Sequence, residues 1–123
     1  MNDKELIEAV AVEVMGWDKI ISIYDQPGKM AYFYVIGDEQ VYFDHHDFKP
    51  LTNANHWMMV VQSMRELEYR VWIGQSLDLW ECGFSIACYT KGFYRHQSIG
   101  HAICLASLEA VRATRDQSGA KEK

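Results

Sequence analysis

Short hairpin-forming strands interleaved with three helical segments predict an α+β fold of the order α-β-β-β-α-β-β-β-α, a layered domain with a mostly antiparallel sheet covered by helices. Three observations carry this. Trp80, Cys82, Phe84, Ile86 and Cys88 alternate with Glu81, Gly83, Ser85, Ala87 and Tyr89, the period of two that marks a strand with one dry and one mixed face. Ala102 to Val111 is apolar almost all round, as befits a helix laid flat on a sheet. The strand-like runs are separated by turn residues rather than by long crossovers, which makes neighbours antiparallel.

Element by element, the first helix is expected over about Asp3 to Met15. Asn2 and Glu5 fit a capping box, Leu6, Val10 and Val14 share a face with Ala9 and Trp17 nearby, and Gly16 is a natural stop. Ile20 to Tyr24 reads as a strand ending at a Pro27-Gly28 turn, and Ala31–Ile36 with Gln40–Phe43 as a hairpin around Gly37-Asp38-Glu39. Asp44 to Leu51 is a polar loop ending near Pro50. Thr52 or Asn53 caps a second helix whose buried stripe is Trp57, Val60, Val61, Met64 and Leu67. Tyr69 to Ile73 is a strand and Gly74 to Asp78 a turn. A long strand from Trp80 to Thr90 then turns at Lys91-Gly92 into Phe93–His96. Ser98 caps the last helix, which is expected to end near Ala113. Residues 1–113 thus form one α+β domain, and Thr114 to Lys123 a disordered C-terminal tail with nothing to bury.

The chain has 123 residues, enough for one core, with 49% apolar and 24% charged residues, near the values of an ordinary globular protein. Aromatic content is high at 13%, and some of the four Trp and seven Tyr are expected on a partner surface. A net charge of -5 argues against a surface that tracks phosphates. Charged residues at the N-terminus and the lack of an apolar run near ~20 residues argue against a signal peptide or a bilayer span. The expected location is therefore the cytoplasm of a bacterial host, with Cys82, Cys88 and Cys104 as buried, reduced thiols.

Four strings carry possible chemistry. Asp44-His45-His46-Asp47 resembles the DHH motif of a metal-dependent phosphoesterase superfamily, in which carboxylates and imidazoles hold metals that activate water. Adjacent side chains diverge, however, so four in a row rarely converge on one ion, and a solvated loop is the preferred reading. Lys91-Gly92-Phe93-Tyr94-Arg95 resembles the opening of an RNA-binding RNP1 string, but Arg95 stands where that string needs an aromatic. The preferred account is a hairpin turn with Gly92 at positive φ. His101 and Cys104 at i, i+3 suggest a nucleophile and its base, but burial of Cys104 among Ile103, Leu105 and Ala106 would leave it inert. Trp72, Tyr89 and Tyr94 are the candidates for partner contacts.

Three segments together resemble the phage ABA-sandwich domain family of small phage and prophage proteins. They are Val14-Met15-Gly16-Trp17; Phe48-Lys49-Pro50-Leu51-Thr52-Asn53; and Trp80 with its alternating strand followed by Ala102 to Ala110. The resemblance covers about residues 5 to 113. It implies an α-β-α sandwich and an origin in a phage or prophage genome, with structural roles for Gly16, Pro50 and the Ala102–Ala110 face. It implies no activity, and no catalytic residue is carried over.

The expectation is a non-enzymatic phage or prophage accessory protein that needs no cofactor and binds a host or phage protein, or a second copy of itself. A metal-dependent hydrolase centred on Asp44, His45, His46 and Asp47 is one alternative. A nucleic-acid-binding module using Lys91 to Arg95 is the other.

Overall fold

The computed structural model describes the backbone of residues 1–22, 31–36, 41–44 and 47–121, and the side chains of 1–19, 34–35 and 47–115. Its elements follow the expected order: helix α1 (Asp3–Ala9) prolonged by a π turn (Val10–Val14), β1 (Asp18–Ser22), β2 (Ala31–Ile36), β3 (Val41–Asp44), α2 (Ala54–Glu66), β4 (Arg70–Ser76), β5 (Leu79–Ile86), β6 (Tyr89–His96) and α3 (Ile99–Lys121). The strands form two separate antiparallel sheets, β1-β2-β3 and β4-β5-β6. The expected Pro27-Gly28 turn and the Gly37-Asp38-Glu39 loop lie outside the described residues.

Helix α3 organises the packing. One side lies on β5 and β6, and the other meets α1, the π turn and α2. Contact on both sides explains why Ala102, Ile103, Cys104, Ala106, Ser107, Leu108 and Ala110 are all buried. Two glycines permit the close approach. A Cβ on Gly92 of β6 would fall on the carbonyl oxygen of Ala106, and one on Gly100 would fall on that of Leu51. Gly92 is thus a packing residue within a strand, and its backbone does not take the positive φ expected of it. The hairpin turns instead at Ala87-Cys88, between the paired residues Ile86 and Tyr89. The expected strand from Trp80 to Thr90 is therefore two strands. Ala87 at φ 55° supplies the left-handed residue that a two-residue hairpin requires, with no Gly, Asn or Asp to announce it.

The same logic moves the preceding turn. β4 runs on to Ser76, and the loop is Leu77-Asp78 with Leu77 at φ 56°. Cys88, expected in the core, sits exposed in its turn, whereas Cys82 and Cys104 are buried. Leu67, expected in the buried stripe of α2, caps the helix and is half exposed. The cap has rotated past the face on which Val60, Val61 and Met64 are buried.

Other boundaries agree closely. Asn2 Oδ1 accepts from the Glu5 amide at 2.8 Å, and Asn53 Oδ1 from the His56 amide at 3.3 Å. Gly16 ends the N-terminal helix at φ +73°, with nothing near its absent Cβ, so conformation rather than space requires glycine there. The preceding π turn is closed by the Met15 amide donating to the Val10 carbonyl at 2.9 Å. β1 starts two residues earlier than Ile20. α3 passes its expected end at Ala113 and continues to Lys121. Thr114, read as tail, has structural work: its hydroxyl lies 2.6 Å from the Tyr69 hydroxyl, which also donates to the Ala110 carbonyl at 3.2 Å.

The loop before α2 also reaches inward. Phe48 is buried against Trp17, with ring centroids 4.8 Å apart, and Tyr34 of β2 packs 5.8 Å from Trp17. This aromatic trio fastens the first sheet to the helices, a role that the polar neighbours of Phe48 concealed.

Candidate functional site

In the second sheet, alternation sorts the side chains onto two faces. Cys82 and Phe84 are fully buried on the face that carries α3. The opposite face stays open, and its register can be read in rows: Arg70–Ser85–Thr90, Trp72–Gly83–Phe93 and Gly74–Glu81–Arg95. The rows are roughly 7 Å apart, two residues along a strand.

The central row is an aromatic platform. Trp72 is 54% exposed and Phe93 39%, yet the rings are nearly parallel, with centroids 6.3 Å apart and planes 18° apart. Glycines place them. A Cβ on Gly83 would sit 3.5 Å from Phe93 Cδ2 and 3.9 Å from Trp72 Cε3, so both rings lean over the strand between them. A Cβ on Gly74 would stand 3.0 Å from Trp72 Cζ2, so the indole lies low along its own strand. A low ring covers backbone with one face and offers the other to solvent.

The flanking rows carry charge. Arg95 holds its guanidinium 5.6 Å from the Phe93 ring centroid, a cation–π distance. Its Nε lies 2.9 Å from Glu81 Oε1, an ion pair. Glu81 is nearly buried and Arg95 largely exposed, so the carboxylate acts as an anchor beneath the cation. Arg70 is exposed in the row on the other side of the platform. Over residues 70–96 three cations, Arg70, Lys91 and Arg95, stand against two acids, Asp78 and Glu81, within a chain of net charge -5.

Of the expected contact residues, only Trp72 lies on this platform. Tyr94 faces the other way, lining a groove with Leu105, Leu108 and Arg112 of α3. Tyr89 is exposed beside the Ala87-Cys88 turn, with Lys91 Nζ 5.8 Å from its ring centroid. The sequence names Phe93 only within the RNP1-like string Lys91 to Arg95, and the Glu81 anchor not at all. The available signal was the pair of glycines at 74 and 83, which leave a strand face without side chains for the rings to cover.

The Asp44–Asp47 string is described only in part. Asp44 ends β3, His45 and His46 lie outside the described residues, and Asp47 is exposed in a turn. Among the described residues, no three His, Cys, Asp or Glu are grouped to hold a metal ion. Cys104 is not joined to His101. Burial pushes its thiol up to about 12, and His101 instead stacks on His96 at 4.4 Å and places Nε2 3.1 Å from Asp3 Oδ1. Among the described residues, no helix is long and apolar enough to cross a membrane.

A family model described as the phage ABA sandwich domain matches residues 8–108. No curated protein matches the chain, and no solved structure does.

Proposed function

The chain belongs to the phage ABA sandwich domain family, and from that premise we propose that it is a phage or prophage accessory protein that binds another macromolecule through the open face of its second sheet. It acts by binding rather than by catalysis, in the cytoplasm of a bacterial host. The observation that carries the reading is the Trp72–Phe93 pair. Two large rings are positioned by glycines and a cation, yet left in solvent. Aromatic residues with a neighbouring Arg are the side chains most enriched among those that dominate binding energy. Rings lying low on a strand also lose little conformational freedom when a partner arrives.

Affinity capture from phage-infected cells tests this, with the wild-type chain compared to the Trp72→Ala/Phe93→Ala double variant. Both side chains are surface residues, so the variant should keep its melting temperature to within a few degrees. The expected result is a partner retained by the wild type and lost by the variant. Equal capture by both folded proteins would overturn the assignment of this face.

A further inference from the structure

We propose that the open face of the second sheet binds single-stranded nucleic acid, with bases stacking on Trp72 and Phe93 and phosphates meeting Arg70 and Arg95. The proposal rests on the assignment of that face as a binding surface and names its occupant. Three features of the site converge on it.

The first is ring presentation. A base needs a flat π-face with its normal directed at solvent, and stacking of this kind tolerates any sequence. Trp72 passes close over Gly74 and the Cδ2 edge of Phe93 lies close to Gly83, while both side chains stay exposed on the sheet face. A protein hot spot more often sits in a well-packed, desolvated pocket. Here the two rings stand exposed on an open sheet face.

The second is where the charge sits. Arg70 and Arg95 occupy the rows on either side of the aromatic row and diagonally opposite strands. A strand laid across the platform would have a cation within reach on both flanks. The Arg95 bond to Glu81 is made by Nε. Its terminal nitrogens make no hydrogen bond or ion pair among the described residues, and they are the pair that can grip a phosphate. Arg70 has no ion-pair partner among the described residues.

The third is the local balance of charge: Arg70, Lys91 and Arg95 outnumber Asp78 and Glu81 over residues 70–96, in a chain of net charge -5. Asp3, Glu5, Glu8 and Glu13 lie in the N-terminal helical segment, off this sheet. A polyanion approaching an acidic protein would be turned toward a surface on which cations locally outnumber acids.

The test uses the full chain with dye-labelled 20-nucleotide single-stranded DNA and RNA of mixed sequence, read by fluorescence anisotropy across a salt series. Expected are salt-dependent binding, a loss of between about five- and a hundred-fold in affinity for Trp72→Ala, and for Arg70→Ala a salt slope shallower by roughly 0.7. Arg70→Ala removes an exposed side chain, so it reads the electrostatic role even if Trp72→Ala disturbs the sheet. Absence of binding at low salt overturns the proposal, as does binding that neither variant weakens. Capture from infected cells with and without nuclease separates the two claims. A partner that survives nuclease and is lost with Trp72→Ala overturns the nucleic-acid assignment while keeping the face as a protein-binding surface. Loss of oligonucleotide binding and of all Trp72-dependent capture overturns both.

Discussion

Cys82 and Cys104 face each other across the junction of β5 and α3, and burial pushes both thiols up to about 12. At pH 8 a thiol of that kind is ionised to only on the order of one part in ten thousand, and the thiolate is the nucleophile. Cys88 is exposed in its two-residue turn. Titration of the native protein with a chromogenic disulfide reagent should therefore show one fast thiol, with the other two reacting only as the chain unfolds. Two or three fast thiols in the native state would contradict the packing of α3 on β5. The assignment of Cys82 and Cys104 to the core was readable from their neighbours. That of Cys88 failed because Ile-Ala-Cys-Tyr carries no turn residue. Its exposure follows from where the pairing of Ile86 with Tyr89 stops.

At the scale of elements, the telling feature is how the chain closes its helices and hairpins. Among the described residues, Glu68, Leu77 and Ala87 fill left-handed positions, although each such residue costs about 1–2 kcal/mol relative to glycine. The end of α2 shows the pattern clearly. The Tyr69 amide donates to the Met64 carbonyl at 3.0 Å and the Glu68 amide to the Arg65 carbonyl at 2.9 Å, the paired bonds of a Schellman cap with Glu68 at the position that favours glycine. Met64 and Tyr69 are both buried and supply the apolar contact that accompanies such caps. Glu68→Gly should relieve the left-handed strain. Part of the gain is offset by the greater freedom of glycine in the unfolded chain, leaving about 0.5–1 kcal/mol of added stability, measured by urea unfolding. A loss of stability would mean that the Glu68 side chain contributes something its exposed position does not reveal. Meanwhile Gly74, Gly83, Gly92 and Gly100 serve close approach, not chain reversal. Reading glycine as punctuation therefore put the turn at Lys91-Gly92 when it lies at Ala87-Cys88.

At the scale of the whole molecule, two polar links tie the N-terminal helical segment to α3. Glu13 receives Arg112 at 3.0 and 2.8 Å and Arg115 at 3.1 Å, and the Arg112 hydrogen bond leads in holding its carboxyl below the ordinary carboxylate value. At the opposite end of α3, His101 meets Asp3 and stacks on His96. Burial, reinforced by His101, lowers the His96 value, against a smaller opposing pull from Asp3. His96 Nδ1 also accepts the Ser98 amide at 2.9 Å, a bond that favours the neutral ring. A base whose value is depressed on folding binds fewer protons in the folded state, so stability falls as pH drops below about 6.5. Glu13 adds a second, lower window: its contribution is present above about 4.5 and is lost as pH falls through its depressed folded value. Melting curves from pH 8 to 4 should show both declines. His96→Asn, which keeps an acceptor for the Ser98 amide, should flatten the upper one and leave the lower intact. An upper decline unchanged in that variant would assign it to another group.

Local pattern was enough to read the order of the elements, the antiparallel pairing, the caps at Asn2 and Gly16, and a last helix apolar almost all round, because hydrophobic period and capping chemistry need no partner to be read. At α2 it left Thr52 and Asn53 as alternatives, and the structure chose Asn53. The family could be named from the same short-range signals. Tertiary structure decided where the hairpins turn, which cysteine reaches solvent, and that Phe48 leaves a polar loop to join Trp17 and Tyr34. It also decided that Trp72 and Phe93, twenty-one positions apart in the numbering, come to share one open face with Arg95 and Glu81. Those outcomes depend on register between strands and on which face α3 covers. Both are fixed only when distant segments meet, so no local pattern records them.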